Sequence, residues 1–325
     1  MIRRNQVLAA ILAAQMLLIA FTFWPRRAAT VSSGEMLFPG VEADRVVQMT
    51  IRDSQGESLA LARRPNGWVL PSADDYPCRE EDVTSFLSKL LALKGDRLVT
   101  QTATSHRRLK VADDAFERLV DFELTDGTRH KLYLGTSAGA QSSHIRADGQ
   151  NEVYLSANLS SWDVGAYATA WIDSSYLNVP QDQIVALTLE NSAGHLAFTR
   201  ISTDTWTLQG LGAAERLDQN QVQTIVSRAA SVSMSNPLGK QEKPEYGWAK
   251  PNAVVRLEAR GSDGTSQSYT LRVGAKDAND SSYVVQSSAS PYFVRVSEWV
   301  VKDLVEKDRS GFLEQPPAPE ATPGP

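Results

Sequence analysis

Cysteine is almost missing from this chain. Among 325 residues only Cys78 carries a thiol, so neither an intrachain disulfide nor a multi-cysteine metal site can form. One cysteine near an expected helix start reads as a tolerated small residue, because a reactive thiol needs neighbours that lower its pKa. Histidine is scarce too. His106, His130, His144 and His195 form no i, i+4 pair and no cluster with Cys or carboxylates, which argues against a metal site. His130 and His195 fall near expected hairpin edges, where exposure is the simplest account. No Gly-rich loop with a Walker lysine stands between a strand and a helix, so any ATP hydrolysis is assigned to another chain.

Basic charge is also in deficit. Lys and Arg number 33 against 38 Asp and Glu, and Arg3, Arg4, Arg26 and Arg27 lie in the first 27 residues, which hold no acid. The remainder has 29 bases against 38 acids, a charge of −9. Counterion release from nucleic acid needs the opposite sign, so no nucleic-acid partner is expected.

Within that amino-terminal stretch, Val7 to Trp24 (VLAAILAAQMLLIAFTFW) contains no charge at all. Eighteen helical residues at about 1.5 Å each reach across a hydrocarbon core. Phe21, Phe23 and Trp24 suit the interface, and a cleavable signal would need small residues where the chain reads FWPRR. The expectation is an uncleaved single-pass anchor, its short amino tail cytoplasmic and everything after Trp24 exported. Ala10 and Ala14 give the small-xxx-small spacing that lets a second helix approach.

The rest of the chain shows internal similarity. VEADRVVQMTIRDSQGESLALARRPNGWVL, from Val41, matches VPQDQIVALTLENSAGHLAFTRISTDTWTL, from Val179, without a gap. Asp44 meets Asp182, Gly56 meets Gly194 and Trp68 meets Trp206. Val83, Phe86, Leu87, Leu90 and Leu91 make an amphipathic helical stripe that Val222, Ile225, Val226, Ala229 and Ala230 repeat. TDGT (Thr125 to Thr128) and SDGT (Ser262 to Thr265) are hairpin signals, and KLYLG ending at Gly135 answers TLRVG ending at Gly274. Val47, Met49 and Ile51 alternate toward one face, as do Val185, Leu187 and Leu189. Each copy reads as three strands, a helix, a meander of about four strands and a closing helix around Trp162 or Trp299. A tryptophan that recurs at one place in two diverged copies is a core wedge, not a ligand platform.

The expected fold class is therefore α+β: two tandem similar repeats, each an antiparallel sheet with one or two packed helices, after an N-terminal transmembrane helix. Residues 1–27 form the cytoplasmic tip and anchor, 28–40 a spacer, 41–178 the first repeat and 179–311 the second. Residues 312–325, rich in proline (EQPPAPEATPGP from Glu314), form a tail too apolar-poor to offset its ordering.

Motifs that suggest chemistry have plainer accounts. GTSAG (Gly135 to Gly139) fits G-x-S-x-G, yet that pattern acts only on a sharp strand-to-helix turn, and here both flanks read as strands. Glu80, Glu81 and Asp82 open a helix, where acids complement its dipole. No catalytic, cofactor-binding or metal residue is assigned, and no cofactor is expected.

LFPGVEADRV (Leu37 to Val46) with GWVLPSADDYPCREEDVTSFLSKLLAL (Gly67 to Leu93) resembles the bacterial domain of unknown function 4340 family. YGWAKP (Tyr246 to Pro251) is similar to its Tyr-Gly-Leu-x-x-Pro element, with Trp248 in place of Leu. RLKVADDA (Arg108 to Ala115) is similar to its Leu-Gly-Val stretch, with Lys110 where Gly is usual. The likeness spans roughly residues 37–310. It implies a membrane-anchored, paired-repeat protein encoded beside an ABC-type exporter permease, its ATPase and a gliding-motility-type auxiliary component, with no established catalytic residues to carry over. The expected role is a non-catalytic, extracytoplasmic accessory or scaffold subunit of such an exporter, at the bacterial cytoplasmic membrane. The alternative is a ligand-binding module holding a lipid or glycan between the repeats.

Overall fold

A computed structural model describes residues 34–261 and 263–314. The expected anchor, Val7 to Trp24, lies outside them; among the described residues no helix is long and apolar enough to cross a membrane.

The first half opens with a meander: β1 (Val46–Asp53), β2 (Ser58–Arg64), β3 (Gly67–Leu70) and the short β4 (Tyr76–Pro77). Helix α1 (Glu80–Leu91) follows, then β5 (Leu98–Thr100) and the single-turn α2 (His106–Leu109). A minor hairpin, β6 (Val111–Ala112) and β7 (Ala115–Phe116), leads to β8 (Arg118–Leu124), β9 (Arg129–Gly139), β10 (Ser142–Ala147) and β11 (Val153–Leu155). Nine of these strands form one sheet in the order β4-β3-β2-β1-β8-β9-β10-β11-β5.

In the second half β12 (Ser175–Asn178) precedes β13 (Ile184–Asn191), β14 (Gly194–Ser202), β15 (Thr205–Leu208) and α3 (Gln219–Ala230). Next come β16 (Ser231–Ser233), β17 (Asn236–Gly239), β18 (Ala253–Arg260), β19 (Ser266–Lys276), β20 (Tyr283–Ser287), β21 (Phe293–Val296) and α4 (Glu298–Glu306). The large sheet runs β15-β14-β13-β18-β19-β20-β21-β17, while β12 pairs with β16 alone. Both large sheets thus grow outward from a central antiparallel pair, β1 with β8 and β13 with β18, and each places a strand that follows a helix at its far edge. The fold is α+β with antiparallel sheets.

Both helices bury most of the stripe that their spacing predicts: Val83, Phe86, Leu87 and Leu90 in α1, with Leu91 half-buried at its end, and Val222, Ile225, Val226, Ala229 and Ala230 in α3. One hydrophobic core runs through both halves, from Phe38 and Met49 to Val301 and Phe312.

Several details depart from expectation. Val47 and Val185 do not join the inner face, because a bulge interrupts the ladder between Val46 and Gln48 and again between Ile184 and Ala186. Val46 and Ile184 are buried instead. The gapless match also fails at one point: Arg63 and Arg200 are the residues opposite Trp68 and Trp206, and Ile201 is squeezed out where the ladder slips between Arg200 and Ser202. Ile201 is therefore exposed. Around Trp162 there is only a short turn, Ser161–Asp163, where a closing helix was expected; around Trp299 the helix α4 is present.

The expected boundaries shift as well. Phe38, assigned to the spacer, is buried with its ring 5.1 Å from that of Phe122. Phe312, assigned to the tail, is buried 4.9 Å from Phe198, and Leu313 bridges to Leu217. Residues 175–178, assigned to the first repeat, pair with β16 of the second half.

Candidate functional site

Trp68 and Trp206 are each 2% exposed, as a wedge between strand and helix should be. Their surroundings correspond closely. The Glu80 carboxylate accepts the Trp68 main-chain N–H at 3.1 Å, and the Gln219 side-chain oxygen accepts that of Trp206 at 2.8 Å. Arg63 lies over the Trp68 ring at 5.9 Å and Arg200 over the Trp206 ring at 5.4 Å. Each guanidinium donates to carbonyls just ahead of the first strand, Asp44 at 2.9 Å and Asp182 at 2.8 Å. Glu80 therefore does more than complement a helix dipole, since it ties α1 to β3.

The other candidates are held in structural bonds. Ser137, the centre of GTSAG, lies within β9, and its hydroxyl donates to the Gly139 carbonyl at 2.9 Å. His144 Nδ1 sits 2.9 Å from Thr136 Oγ1, and the buried His106 ring meets the Asn151 carbonyl at 2.9 Å. His195 is exposed as expected. His130 is not: its ring is half-buried, 5.2 Å from Phe122 and 5.5 Å from Phe38, because the residues ahead of β1 fold back over it. Among the described residues no three His, Cys, Asp or Glu side chains are grouped to hold a metal ion.

Cys78 is half-buried beside Trp68, whose carbonyl accepts its main-chain N–H at 2.8 Å. Burial, then the charge of Glu80, pushes its thiol up to about 12. At pH 8 the thiolate fraction is roughly a thousandfold below that of an ordinary cysteine. Iodoacetamide labelling followed by mass spectrometry should therefore be slow on the folded chain and fast after denaturation. Labelling of the folded chain at the free-cysteine rate would contradict this placement.

The two halves meet at a filled junction. Asp74 and Asp75 both take left-handed backbone angles, φ 51° and 58°, which turns this loop toward β17. The Asp74 carboxylate accepts the Lys240 N–H at 2.6 Å, and the Tyr292 hydroxyl donates to the Asp75 carbonyl at 3.2 Å. The rings of Tyr76 and Tyr292 meet edge-on at 4.7 Å.

Open space is found on the outer faces of the helices and, as a hollow of about 450 Å³ bounded by Leu37, Phe38, His130 and Asp148, beside β8 and β9 of the first sheet. Along α3 a groove of about 670 Å³ is bounded by Gln181, Asn220, Gln223, Thr224, Ser227, Arg228, Ser231, Ser233, Trp299 and Val300. Seven of those ten are neutral amide or hydroxyl side chains, able to donate and accept, and Arg228 is the lone charge. Arg228 is set by Asp303, 2.7 Å from its Nε, and by the Trp299 carbonyl, 2.8 Å from its Nη1. Trp299 itself is 69% exposed. Along α1 the matching groove is only about 200 Å³, crossed by Asp163, Ala170 and Trp171. Trp162, 82% exposed, stands beside it in sequence. These faces suit non-covalent contact. Sequence reasoning missed them because it attended to the repeated Trp68; yet Val300, Val301 and Leu304 form the buried stripe of α4 and leave Trp299 on the opposite side, a signal that periodicity alone carries.

A family model described as "Domain of unknown function (DUF4340)" matches residues 68–251, more than half of the chain. No curated protein and no solved structure matches it.

Proposed function

Because the chain belongs to the DUF4340 family, we propose that it is a non-catalytic, membrane-anchored accessory or scaffold subunit of an ABC-type export system. On this reading Val7 to Trp24 holds it in the bacterial cytoplasmic membrane, and the folded halves stand on the extracytoplasmic side beside a permease and a gliding-motility-type auxiliary component. We read those halves as copies of one ancestral unit. The paired strand orders support this, as do the twin bulges at Val46 and Ile184 and the matched settings of Trp68 and Trp206.

The observation that carries the scaffold reading is where the molecule is closed and where it is open. The junction is packed by Asp74, Tyr76 and Tyr292, whereas the accessible hollows, on the outer helical faces and beside β8 and β9, are each lined from one half alone. A subunit that works by contact needs such faces. The filled junction favours it over a lipid or glycan held between the halves.

Co-purification of the full chain from native membranes, followed by mass spectrometry, should recover an export permease and its ATPase. Recovery of neither would overturn the proposal. A cytoplasm-only reporter fused after Pro325 should stay silent; activity there would reverse the orientation.

A further inference from the structure

The chain crosses the start of both helices in the same way. Arg79 N–H donates to the Trp171 carbonyl at 2.7 Å ahead of α1, and Asp218 N–H to the Phe312 carbonyl at 2.9 Å ahead of α3. Beyond that point the outer faces differ in charge. Counting from Glu80 and Gln219, which bind the two buried tryptophans, the acids Glu80, Glu81 and Asp82 stand where α3 has the amides Gln219, Asn220 and Gln221. Asp218 caps α3 and supplies the negative charge that a helix start favours, so the turn after it is free to be neutral. The small α1 groove is crossed by ion pairs, Arg79 with Asp82 at 2.6 Å and Lys89 with Asp163 at 3.8 Å. The α3 groove is walled instead by Asn220, Gln223, Thr224 and Ser227, at the i, i+3, i+4, i+7 spacing of one helical face. On β16, Ser231 and Ser233 join that wall and point away from the buried Val232 between them. The one charge, Arg228, is already matched by Asp303 at 2.7 Å. Part of the wall is also set in advance. Gln181, on the turn ahead of β13, donates to Ser227 Oγ at 3.1 Å and accepts from the Gln223 amide at 3.0 Å. That relay leaves the Gln223 carbonyl oxygen to accept and the Ser227 hydroxyl to donate.

We propose that the α3 groove binds a neutral oligosaccharide, with one sugar ring stacked on Trp299. Sugar hydroxyls donate and accept at once, which matches a wall of amides and hydroxyls that do the same. A pyranose also has an apolar face of C–H groups, and the electron-rich face of an indole is its natural seat. Trp299 bounds the groove and is 69% exposed, while Val300, Val301 and Leu304 fix α4 from beneath. The space, about 670 Å³, falls within the roughly 300–1,000 Å³ usual for small-ligand sites. An anionic ligand would find the groove's cation already paired, and an acyl chain would strip water from polar side chains without replacing their bonds. The inference goes beyond the scaffold reading and does not rest on it.

The test titrates the full chain, in a detergent without a sugar headgroup, with three neutral hexasaccharides: cellohexaose, maltohexaose and N-acetylated chitohexaose. Isothermal calorimetry should show saturable binding of at least one, at a Kd on the order of 0.1–1 mM. Trp299→Ala should weaken that binding about tenfold, and Trp299→Phe, which keeps an aromatic face, by no more than about threefold. Gln223→Ala, which breaks the relay, should weaken it about threefold to tenfold. The thermal midpoint of Trp299→Ala should stay at the wild-type value, because the side chain is exposed, so a loss of binding is not a loss of fold. No binding of any of the three up to about 5 mM overturns the assignment. So does binding that Trp299→Ala leaves unchanged, or tighter binding of the anionic hexagalacturonate, which would make charge the basis of recognition. No exporter is present in this assay, so its failure and that of the co-purification are read separately.

Discussion

Gly274→Ala should cost the protein roughly 3 kcal/mol or more, lowering its thermal midpoint by about 6–12 °C. The reason is a close approach of main chain to main chain. Gly274 lies in β19 directly beneath the loop that carries Tyr246 and Trp248, and a Cβ there would overlap the Tyr246 carbonyl oxygen and come within 2.7 Å of the Trp248 ring. A flexible side chain can swing aside; a carbonyl fixed at both ends by its own chain cannot. That loop also closes a small cluster in which Trp248 stands 5.7 Å from Phe293, so displacing it opens a second site of damage. Gly135 is built the same way against the Leu109 and Lys110 carbonyls and should respond alike. Gly212→Ala is the control, since its Cβ would meet only the Glu215 carboxylate at 3.3 Å and should leave stability within about 0.5 kcal/mol. Differential scanning calorimetry of the purified full chain reads all three. A midpoint unmoved by Gly274→Ala would show that the loop sits farther from β19.

Trp206→Ala should be as severe, about 3–5 kcal/mol, because a large buried ring is lost and the surrounding sheet and helix cannot collapse onto the void. A further loss comes from Arg200, 5.4 Å above the ring, which would face a cavity. Trp206→Phe should cost far less. The indole N–H of Trp206 has no acceptor in the core, so removing it forfeits no hydrogen bond and relieves a buried unpaired donor. Urea unfolding of the three chains side by side would show the order wild type, Phe, Ala, with a wide gap before Ala. If Phe proved as harmful as Ala, the indole would have a partner that this geometry does not provide.

The sequence made the elements readable where one physical signal dominates. The stripes of Val83 to Leu90 and Val222 to Ala230 dictated helices because only a 3.6-residue period buries them together. The Asp-Gly pair at 126–127 dictated a turn because Gly127 adopts φ +82°. Failures came where a single residue breaks a period. The bulges beside Val47 and Val185 and the squeezed-out Ile201 leave no mark in composition, since each is decided by the neighbouring strand rather than by the residue itself. The buried roles of Phe38 and Phe312 were hidden by their polar, proline-containing surroundings, which read as linkers. Lys110 is a different case. It adopts φ 54° at a place that Gly247 fills with φ 74° in the second half, and RLKV stands out in the sequence for carrying lysine where the family resemblance expects glycine. The outer grooves were least legible, because exposure of Trp299 depends on how α4 docks.

The latch between the halves has a mechanical consequence. Swivelling one sheet against the other would strip the Lys240 amide and the Tyr292 hydroxyl of their acceptors and pull the Tyr76 and Tyr292 rings apart at once. These contacts oppose independent swivelling of the two sheets. A load applied near Phe38 reaches the second sheet through these contacts as well as through the connecting chain.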